Sequence, residues 1–300
     1  MQNLIIFSLI FSVLAEKCPV YRCPSSPFID NQCASYTKVE DQVIREVQKC
    51  QEGYTCPYQN TNKISLCIEK AYEAVEGEKC KTNKECGSQI CDDGVCTGKK
   101  KGELCDYHPA CGTGFSCINK VCDIKRKEGE RCAVDEHCEN HLGCTFFGYC
   151  KPYFSMEIGE TAYNPLLCKS FNINQEGVCI ESELKEEQLE CGHNQEFCKY
   201  TTWDGVNKID LQERCECSRA PGNKRYCQLP SKHELSYELI EIIKGILERN
   251  KNKHVMKRFH PTYEEQKKIN FINLFPRYKD VEECVIDVDI DFEQGQSFLH

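Results

Sequence analysis

Apolar residues are scarce where a chain of this length would normally build its interior. Between Gly77 and Cys150 only 15 of 74 residues are Ala, Val, Ile, Leu, Met, Phe, Trp or Tyr, while 12 are cysteine. A unit of about 25 residues loses roughly 1.5 kcal/mol of ordering entropy per residue and has too little apolar surface to offset it. A conventional packed core is excluded over this stretch, and covalent cross-links must take its place. The sequence also lacks a Gly-x-Ser-x-Gly elbow and a phosphate-binding glycine loop, which removes two large classes of enzyme. It has no Asn-x-Ser/Thr sequon, so N-glycans are not expected. It lacks any excess of positive charge: the net charge is −9, which argues against nucleic acid as a partner. Beyond the first fifteen residues no apolar run is long enough to span a bilayer.

What is abundant is cysteine, 26 residues in 300. That density signals a disulfide scaffold, and such scaffolds persist only in oxidising compartments. The amino terminus agrees. Leu4–Leu14 is apolar apart from Ser8 and Ser12, and Val13-Leu14-Ala15 resembles a small-residue cleavage site. The run stops at Glu16-Lys17, too short for a membrane anchor. Residues 1–15 are therefore expected to be a cleaved signal peptide, with the mature chain secreted or held at the cell surface and no transmembrane segment left after cleavage.

One pattern is written three times: Gly77-Glu78-Lys79-Cys80, Gly102-Glu103-Leu104-Cys105 and Gly129-Glu130-Arg131-Cys132. Each heading precedes three further cysteines, at 86, 91 and 96, then 111, 117 and 122, then 138, 144 and 150. Three four-cysteine repeats are expected, at 77–98, 102–124 and 129–150. Turn residues such as Asp92-Asp93-Gly94 fall between the cysteines, so each repeat reads as a small two-stranded ribbon. Four cysteines permit three pairings. The expected one is first-to-third with second-to-fourth: Cys80–Cys91 with Cys86–Cys96, Cys105–Cys117 with Cys111–Cys122, Cys132–Cys144 with Cys138–Cys150. Adjacent pairing is the alternative. Gly159-Glu160 repeats the heading but loses the cysteine spacing.

The pattern Gly-Glu-x-Cys-x5-Cys-x4/5-Cys-x4/5-Cys resembles the cysteine-rich repeats of the Dickkopf N-terminal domain and of EB modules, and arrays in many exported cysteine-rich protist proteins. The resemblance covers about a quarter of the chain. It implies an extracellular, mostly β-ribbon module used for binding or spacing, and it transfers no functional residue.

The flanking segments read differently. Residues 16–76 hold six cysteines, at 18, 23, 33, 50, 56 and 67. Thr37 and Glu40 form a capping-box pattern, followed by Val39, Val43, Val47 and Cys50 at helical spacing, so a helix is expected there. Residues 151–229 form an irregular seven-cysteine module. If the earlier segments close internally, Cys284 is expected to pair back into 168–227, a free thiol or an intermolecular bridge being the alternatives. The segment 230–300 changes character. Ser231 with Glu234, and Thr262 with Glu265, read as capping boxes for two helices. Their apolar positions are Leu235, Leu239, Ile242, Ile243 and Ile246, then Ile269, Phe271, Ile272 and Phe275. Val285–Phe292 alternates as a half-buried strand, and this acidic tail is expected to fold near the basic helical pair.

Candidate chemistry is sparse. His137 and His141 lie four apart inside a cysteine loop and lack the metalloprotease glutamate between them in the required place. Cys215-Glu216-Cys217 resembles a soft-metal pair but is expected in two different disulfides. Asp287, Asp289 and Asp291 start like a calcium loop, yet Phe292 and Phe298 stand where it needs Gly and Glu. The basic runs Lys99–Lys101 and Lys125–Lys127 read as solvated linkers. Trp203 and Asp204, in the stretch between Cys198 and Cys215, are the candidate binding residues: an aromatic at a turn in a loop clamped by disulfides is a reasonable recognition element.

The expected fold class is thus small and disulfide-rich, with tandem short β-ribbon modules and a small α+β C-terminal segment carrying two helices. Composition and motifs imply a secreted, non-catalytic binding or structural protein without cofactor or metal, whose partner is an extracellular protein or polysaccharide. A protease inhibitor presenting a clamped loop is the alternative, and a hydrolase with its site in residues 151–300 a third reading.

Overall fold

The computed structural model describes residues 18–29, 31–40, 42–51, 54–57, 63–69, 74–185, 189–192, 195–218, 224–273, 282–285 and 287. All 26 cysteines fall within them, and none is free. The molecule is a β-rich assembly of several short sheets held by thirteen disulfides.

The amino-terminal segment is a four-stranded sheet in the order β1 (Val20–Arg22), β3 (Gln42–Val47), β2 (Gln32–Val39), β5 (Ser65–Leu66), beside a two-stranded pair, β4 (Tyr54–Thr55) with β6 (Ile68–Glu69). The helix expected after Thr37 is absent. β2 and β3 instead form an antiparallel hairpin, pairing Val39 with Gln42 and Thr37 with Ile44. Glu40, the supposed cap partner, turns the chain at φ +53°. The reason lies in the period. A spacing of four residues also satisfies an alternation of two, and Thr37, Val39, Val43, Ile44 and Val47 are β-branched, which fits a pleated surface better than a helix. Arg45, on the face shared with Val43 and Val47, is buried and donates to the Tyr21 hydroxyl at 2.9 Å.

In the repeats, the first cysteine bonds the third and the second bonds the fourth in all three, as Cys80–Cys91 and Cys86–Cys96, Cys105–Cys117 and Cys111–Cys122, Cys132–Cys144 and Cys138–Cys150. The last two cysteines of each unit lie opposite one another in a hairpin: β7 (Cys91–Asp92) with β8 (Val95–Cys96), β9 (Phe115–Ile118) with β10 (Val121–Ile124), β11 (Leu142–Cys144) with β12 (Cys150–Pro152). A short 3-10 turn fills the gap between the first two, at Asn83–Glu85, His108–Ala110 and Asp135–His137.

The Gly-Glu heading has a stated job in this plan. Gly77, Gly102 and Gly129 all have φ between +80° and +90°, the third position of a tight turn that only glycine occupies without strain. The following glutamate closes the turn. Its carboxylate accepts from the backbone N–H three residues back: Glu78 from Val75 at 2.9 Å and Glu130 from Lys127 at 2.7 Å. Its own carbonyl then accepts from the fourth cysteine, as in Glu78 from Cys96 and Glu130 from Cys150.

The same plan runs a fourth time, so the spacing after Gly159-Glu160 is not lost. Gly159 sits at φ +92°, Glu160 accepts from the Glu157 N–H, and Cys179 donates to the Glu160 carbonyl. A 3-10 turn spans Pro165–Leu167. Cys168–Cys179 is the second-to-fourth bridge. Ala162 and Ile173 stand where the other bridge would be: Ala162 donates to the Gly177 carbonyl as a first cysteine does, and Ile173 lies opposite Cys179 as a third does. Here apolar burial replaces a covalent bond, because this unit packs on a larger core of Tyr153, Phe154, Leu166 and Leu167 with Ile240 and Leu247 of the C-terminal segment.

Beyond the repeats, β13 (Glu181–Leu184), β14 (Phe197–Trp203) and β15 (Lys208–Arg214) form an antiparallel sheet, and β16 (Glu216–Cys217) pairs with β17 (Arg225–Tyr226). Cys191–Cys215 and Cys198–Cys227 cross-link this unit. Two helices follow, α1 (Glu234–Asn250) and α2 (Tyr263–Asn273). Leu239 and Ile246 of α1 pack on Ile269 and Ile272 of α2, while Ile240 and Leu247 face repeat four. The α2 capping box forms, with the Thr262 hydroxyl accepting from the Glu265 N–H at 3.2 Å and the Glu265 carboxylate accepting from the Thr262 N–H at 2.7 Å. The α1 box does not. His233 caps α1 through Nδ1, and Ser231 is engaged in a reciprocal pair with Ser182, whose N–H donates to the Ser231 hydroxyl at 2.7 Å.

Two bridges overturn the expected closure. Cys284 bonds Cys23, and Cys18 bonds Cys217, so only Cys33–Cys56 and Cys50–Cys67 close within the amino-terminal segment. Counting an even number of cysteines in a segment does not establish internal pairing. Val285 accordingly lies in a helical turn and packs into the amino-terminal core with Tyr21 and Val47. Of the strand expected at Val285–Phe292, Val285 and Asp287 are helical instead; its remaining residues, the side chains of Phe271 and Phe275, and the leader at 1–15 lie outside the described residues. Among the described residues no helix is long and apolar enough to cross a membrane.

Candidate functional site

The expected binding pair, Trp203 and Asp204, sits at the end of β14, in a hairpin with β15. Trp203 is 37% exposed, so it is not the core aromatic of its unit; that role belongs to Tyr200, packed with the four cysteines 191, 198, 215 and 227. The Asp204 carboxylate accepts from the N–H groups of Val206 and Asn207 at 2.8 and 2.6 Å. These bonds hold it below the usual aspartate range. Asp204 therefore shapes the turn, and the tip it shapes rests on repeat four: a Cβ on Gly159 would come within 2.9 Å of the Asp204 carbonyl. The clamp around the hairpin is Cys191–Cys215 and Cys198–Cys227 rather than a single bridge across it.

A different surface is more exposed. In repeat three the hairpin tip between Cys144 and Cys150 carries Phe146, 62% exposed, and Phe147, 69% exposed. The equivalent tip positions elsewhere are Asp92-Asp93, Ile118-Asn119 and Gln175-Glu176. Nothing in the turn geometry asks for phenylalanine, since the reversal is made by Gly148 at φ +76° and the Gly148 N–H donating to the Thr145 carbonyl at 2.8 Å. Phe146 stacks at 4.7 Å on the exposed Tyr163 of repeat four, and Arg131 lies over the neighbouring Tyr149 ring. Aligning the repeats by their cysteines would have revealed this patch; reading composition segment by segment did not.

The second concentration of chemistry is buried. The connection between α1 and α2 lies along repeats one to three and meets them through polar groups. Asn140, fully buried, donates from Nδ2 to the carbonyls of Asn250 at 2.8 Å and Lys253 at 2.9 Å, and its Oδ1 accepts from Lys125 Nζ. Arg258 donates to the carbonyls of Asp135 and Cys138 at 2.7 and 2.8 Å and to the Tyr153 hydroxyl at 3.2 Å. His254 Nε2 donates to the Cys111 carbonyl at 2.9 Å while Nδ1 accepts from the Met256 N–H, so both neighbours specify the neutral ring. Lys257 pairs with Glu78 of repeat one at 3.1 Å.

Lys125 is only 6% exposed, contrary to the solvated linker expected from its basic run. Burial, reinforced by the Arg258 charge, brings its ammonium down to about 7. His108 and His137 face each other at 5.4 Å between repeats two and three, and burial lowers both. His254 is lowered for the same reason. Burial also pushes the Tyr153 hydroxyl well up, and this hydroxyl donates to the Asp135 carboxylate at 2.8 Å. These groups bind one another, which suits a structural seam between two parts of the chain.

Sulfur offers no open ligand set. Cys191, Cys198, Cys215 and Cys227 lie close enough to hold a metal ion, but all four are oxidised in pairs. Cys215 and Cys217 belong to different bridges.

Comparison with known proteins finds no matching family model, no matching curated protein and no matching solved structure. The Dickkopf-type and EB-type likeness therefore rests on cysteine spacing and the Gly-Glu pair, and function has to be argued from the surface just described.

Proposed function

We propose that this is a secreted, non-catalytic binding protein of the extracellular space, in which a disulfide-held array presents the aromatic tip of repeat three to a protein or polysaccharide. Thirteen disulfides fit an oxidising compartment. The observation that carries the reading is Phe146-Phe147, two rings standing in solvent at positions where two of the sister repeats are wholly polar and the third half so. Exposed aromatics clustered on a rigid support are typical anchors of a binding surface. Cys132–Cys144 and Cys138–Cys150 hold the base of the hairpin, so little ordering entropy remains to be lost on binding. The direct test is retention of the oxidised protein on immobilised extracellular polysaccharides and on intact cell surfaces, beside Phe146→Ser/Phe147→Ser. The double variant is expected to lose retention with its melting temperature unchanged. Equal retention of both proteins refutes the assignment.

The inhibitor alternative needs an extended segment that a protease can read as substrate. The repeat-three tip, which carries two exposed aromatics between closely spaced cysteines, is closed on itself by the Thr145–Gly148 bond. That geometry favours recognition of the tip by a pocket over its insertion into a cleft as a substrate mimic. Stoichiometric inhibition of any enzyme in a panel of extracellular proteases reverses this preference.

A further inference from the structure

Between Cys227 and Cys284 the sequence contains no cysteine. The stretch is anchored at one end by Cys198–Cys227 and at the other by Cys23–Cys284. Everything between is held to the rest of the molecule without a covalent bond, although thirteen bridges fix the remainder. Among the described residues, two kinds of contact hold α1 and the connection after it to the four repeats. The α1 face that meets repeat four is apolar, through Ile240, Ile243 and Leu247. The connection from Lys251 to Thr262 meets repeats one to three mainly through polar groups, with Phe259 packed beside Tyr153, and the hydrogen bonds of His254 among these require a neutral ring.

We infer that the α1–α2 connection is a pH-sensitive strap: acidification releases residues 251–262 from repeats one to three, while α1 stays on repeat four and both disulfide anchors keep the strap tethered.

The geometry gives the sign. His254 donates from Nε2 and accepts at Nδ1, so a second proton converts its acceptor into a donor aimed at the Met256 N–H. His137 Nδ1 accepts from the Ala133 N–H at 3.3 Å and has the same difficulty. The seam already contains the permanent charge of Arg258 and the Lys125 amine, so each new proton adds repulsion. The opposing carboxylates are few: Glu136 faces His108, His137 and Lys125, Glu139 faces Lys125, and Glu76, just before repeat one, faces His254. At the outer edge His260 meets Lys253, Lys257, Arg249 and Glu78 and is likewise held low by burial. Asp135 is occupied by the Tyr153 hydroxyl, the Asn164 amide and the Cys144 N–H. Each group is a base whose closed-state affinity for protons is depressed. The open strap binds more protons, and closure weakens as pH falls through the ordinary histidine range near 6.5. One proton taken up on opening changes the opening equilibrium about tenfold per pH unit. Opening would uncover Lys125, Asn140 and the histidine pair.

The test is amide hydrogen exchange on the intact, oxidised protein at pH 7.5 and pH 5.0, corrected for the intrinsic rate change. Peptides covering 251–260 are expected to lose at least tenfold in protection at pH 5.0, while the 115–124 hairpin does not change. In the variant His108→Asn/His137→Gln/His254→Gln the pH effect should shrink to roughly the fourfold that the Lys125 amine, depressed to about 7, contributes between these two pH values. Unchanged strap protection in the natural protein, parallel loss in the hairpin, or an undiminished pH effect in the variant each overturns the inference. A second readout needs no substitution: the His137 and His254 ring resonances should titrate together with strap opening and below the free-histidine range. Titration at the ordinary value with the strap still closed also overturns it.

Discussion

Asn140→Leu isolates the strap contact from the rest of the fold. Asn140 is fully buried, and its two amide hydrogens serve the carbonyls of Asn250 and Lys253 while its oxygen receives Lys125. Leucine is of similar size, so no large cavity opens and the loss is polar. The Asn250 carbonyl loses one of two donors, keeping the Lys253 N–H, at about 1 kcal/mol; the Lys253 carbonyl loses Asn140, at about 1–3 kcal/mol, and a buried amine loses its acceptor, worth about another 1–2 kcal/mol. The strap can recover part of this by opening to water, which leaves about 4 kcal/mol on the closed state, or close to a thousandfold in the opening equilibrium. The cost should fall on the strap alone, because Cys138–Cys150 and Cys132–Cys144 hold repeat three independently. The assay is hydrogen exchange with limited proteolysis: 251–260 should become exchange-labile and cleavable at Lys251, Lys253 or Lys257, with the repeats still protected. Asn140→Asp serves as the partner variant, since it keeps an acceptor for Lys125 and removes both donors, and should fall between. Full protection of the strap in Asn140→Leu, or collapse of the whole molecule, refutes the reasoning.

Three further outcomes are expected. Ala162→Cys with Ile173→Cys should restore the missing first-to-third bridge of repeat four and raise stability by up to about 3 kcal/mol, less the packing lost at Ile173, seen as zero free thiols and a higher melting temperature. Lys125→Met should flatten the pH dependence of strap closure between about 7 and 9.5; in the natural protein the amine is depressed to about 7, so closure strengthens as pH rises through this window, by a ceiling of about 3 kcal/mol. Gly129→Ala, at φ +80° in a repeat heading, should destabilise by about 1–2 kcal/mol in chemical denaturation, whereas Lys120→Ala on the exposed surface should stay within about 0.5 kcal/mol.

What the sequence made legible was local. Cysteines ten to twelve residues apart pair within their own ribbon, and turn residues between them announce the reversal. The Thr262–Glu265 box, a short-range device, was readable for the same reason. Long-range closure was not. Nothing near Cys23 or Cys284 signals a partner 261 residues away. The Thr37 helix failed because apolar residues four apart fit either period, and only neighbouring strands decide between them. Lys125 was read as solvated because its basic neighbours are; its burial depends on a strap more than a hundred residues downstream. The candidate surface was hidden for another reason. Phe146 and Phe147 stand out only when the four repeats are laid over one another, and repeat four, which has only two of the four cysteines, escapes a pattern written in sulfur.

The Cys18–Cys217 and Cys23–Cys284 bridges impose a timetable on biosynthesis. A ribosome releases residues 18 and 23 long before their mates, which follow 199 and 261 positions later, whereas every ribbon finds its partners within a dozen residues. The first two thiols to emerge are therefore among the last to be oxidised. For most of its synthesis the nascent chain carries a pair of reactive sulfurs that must be kept from the wrong cysteines until the C-terminal segment arrives.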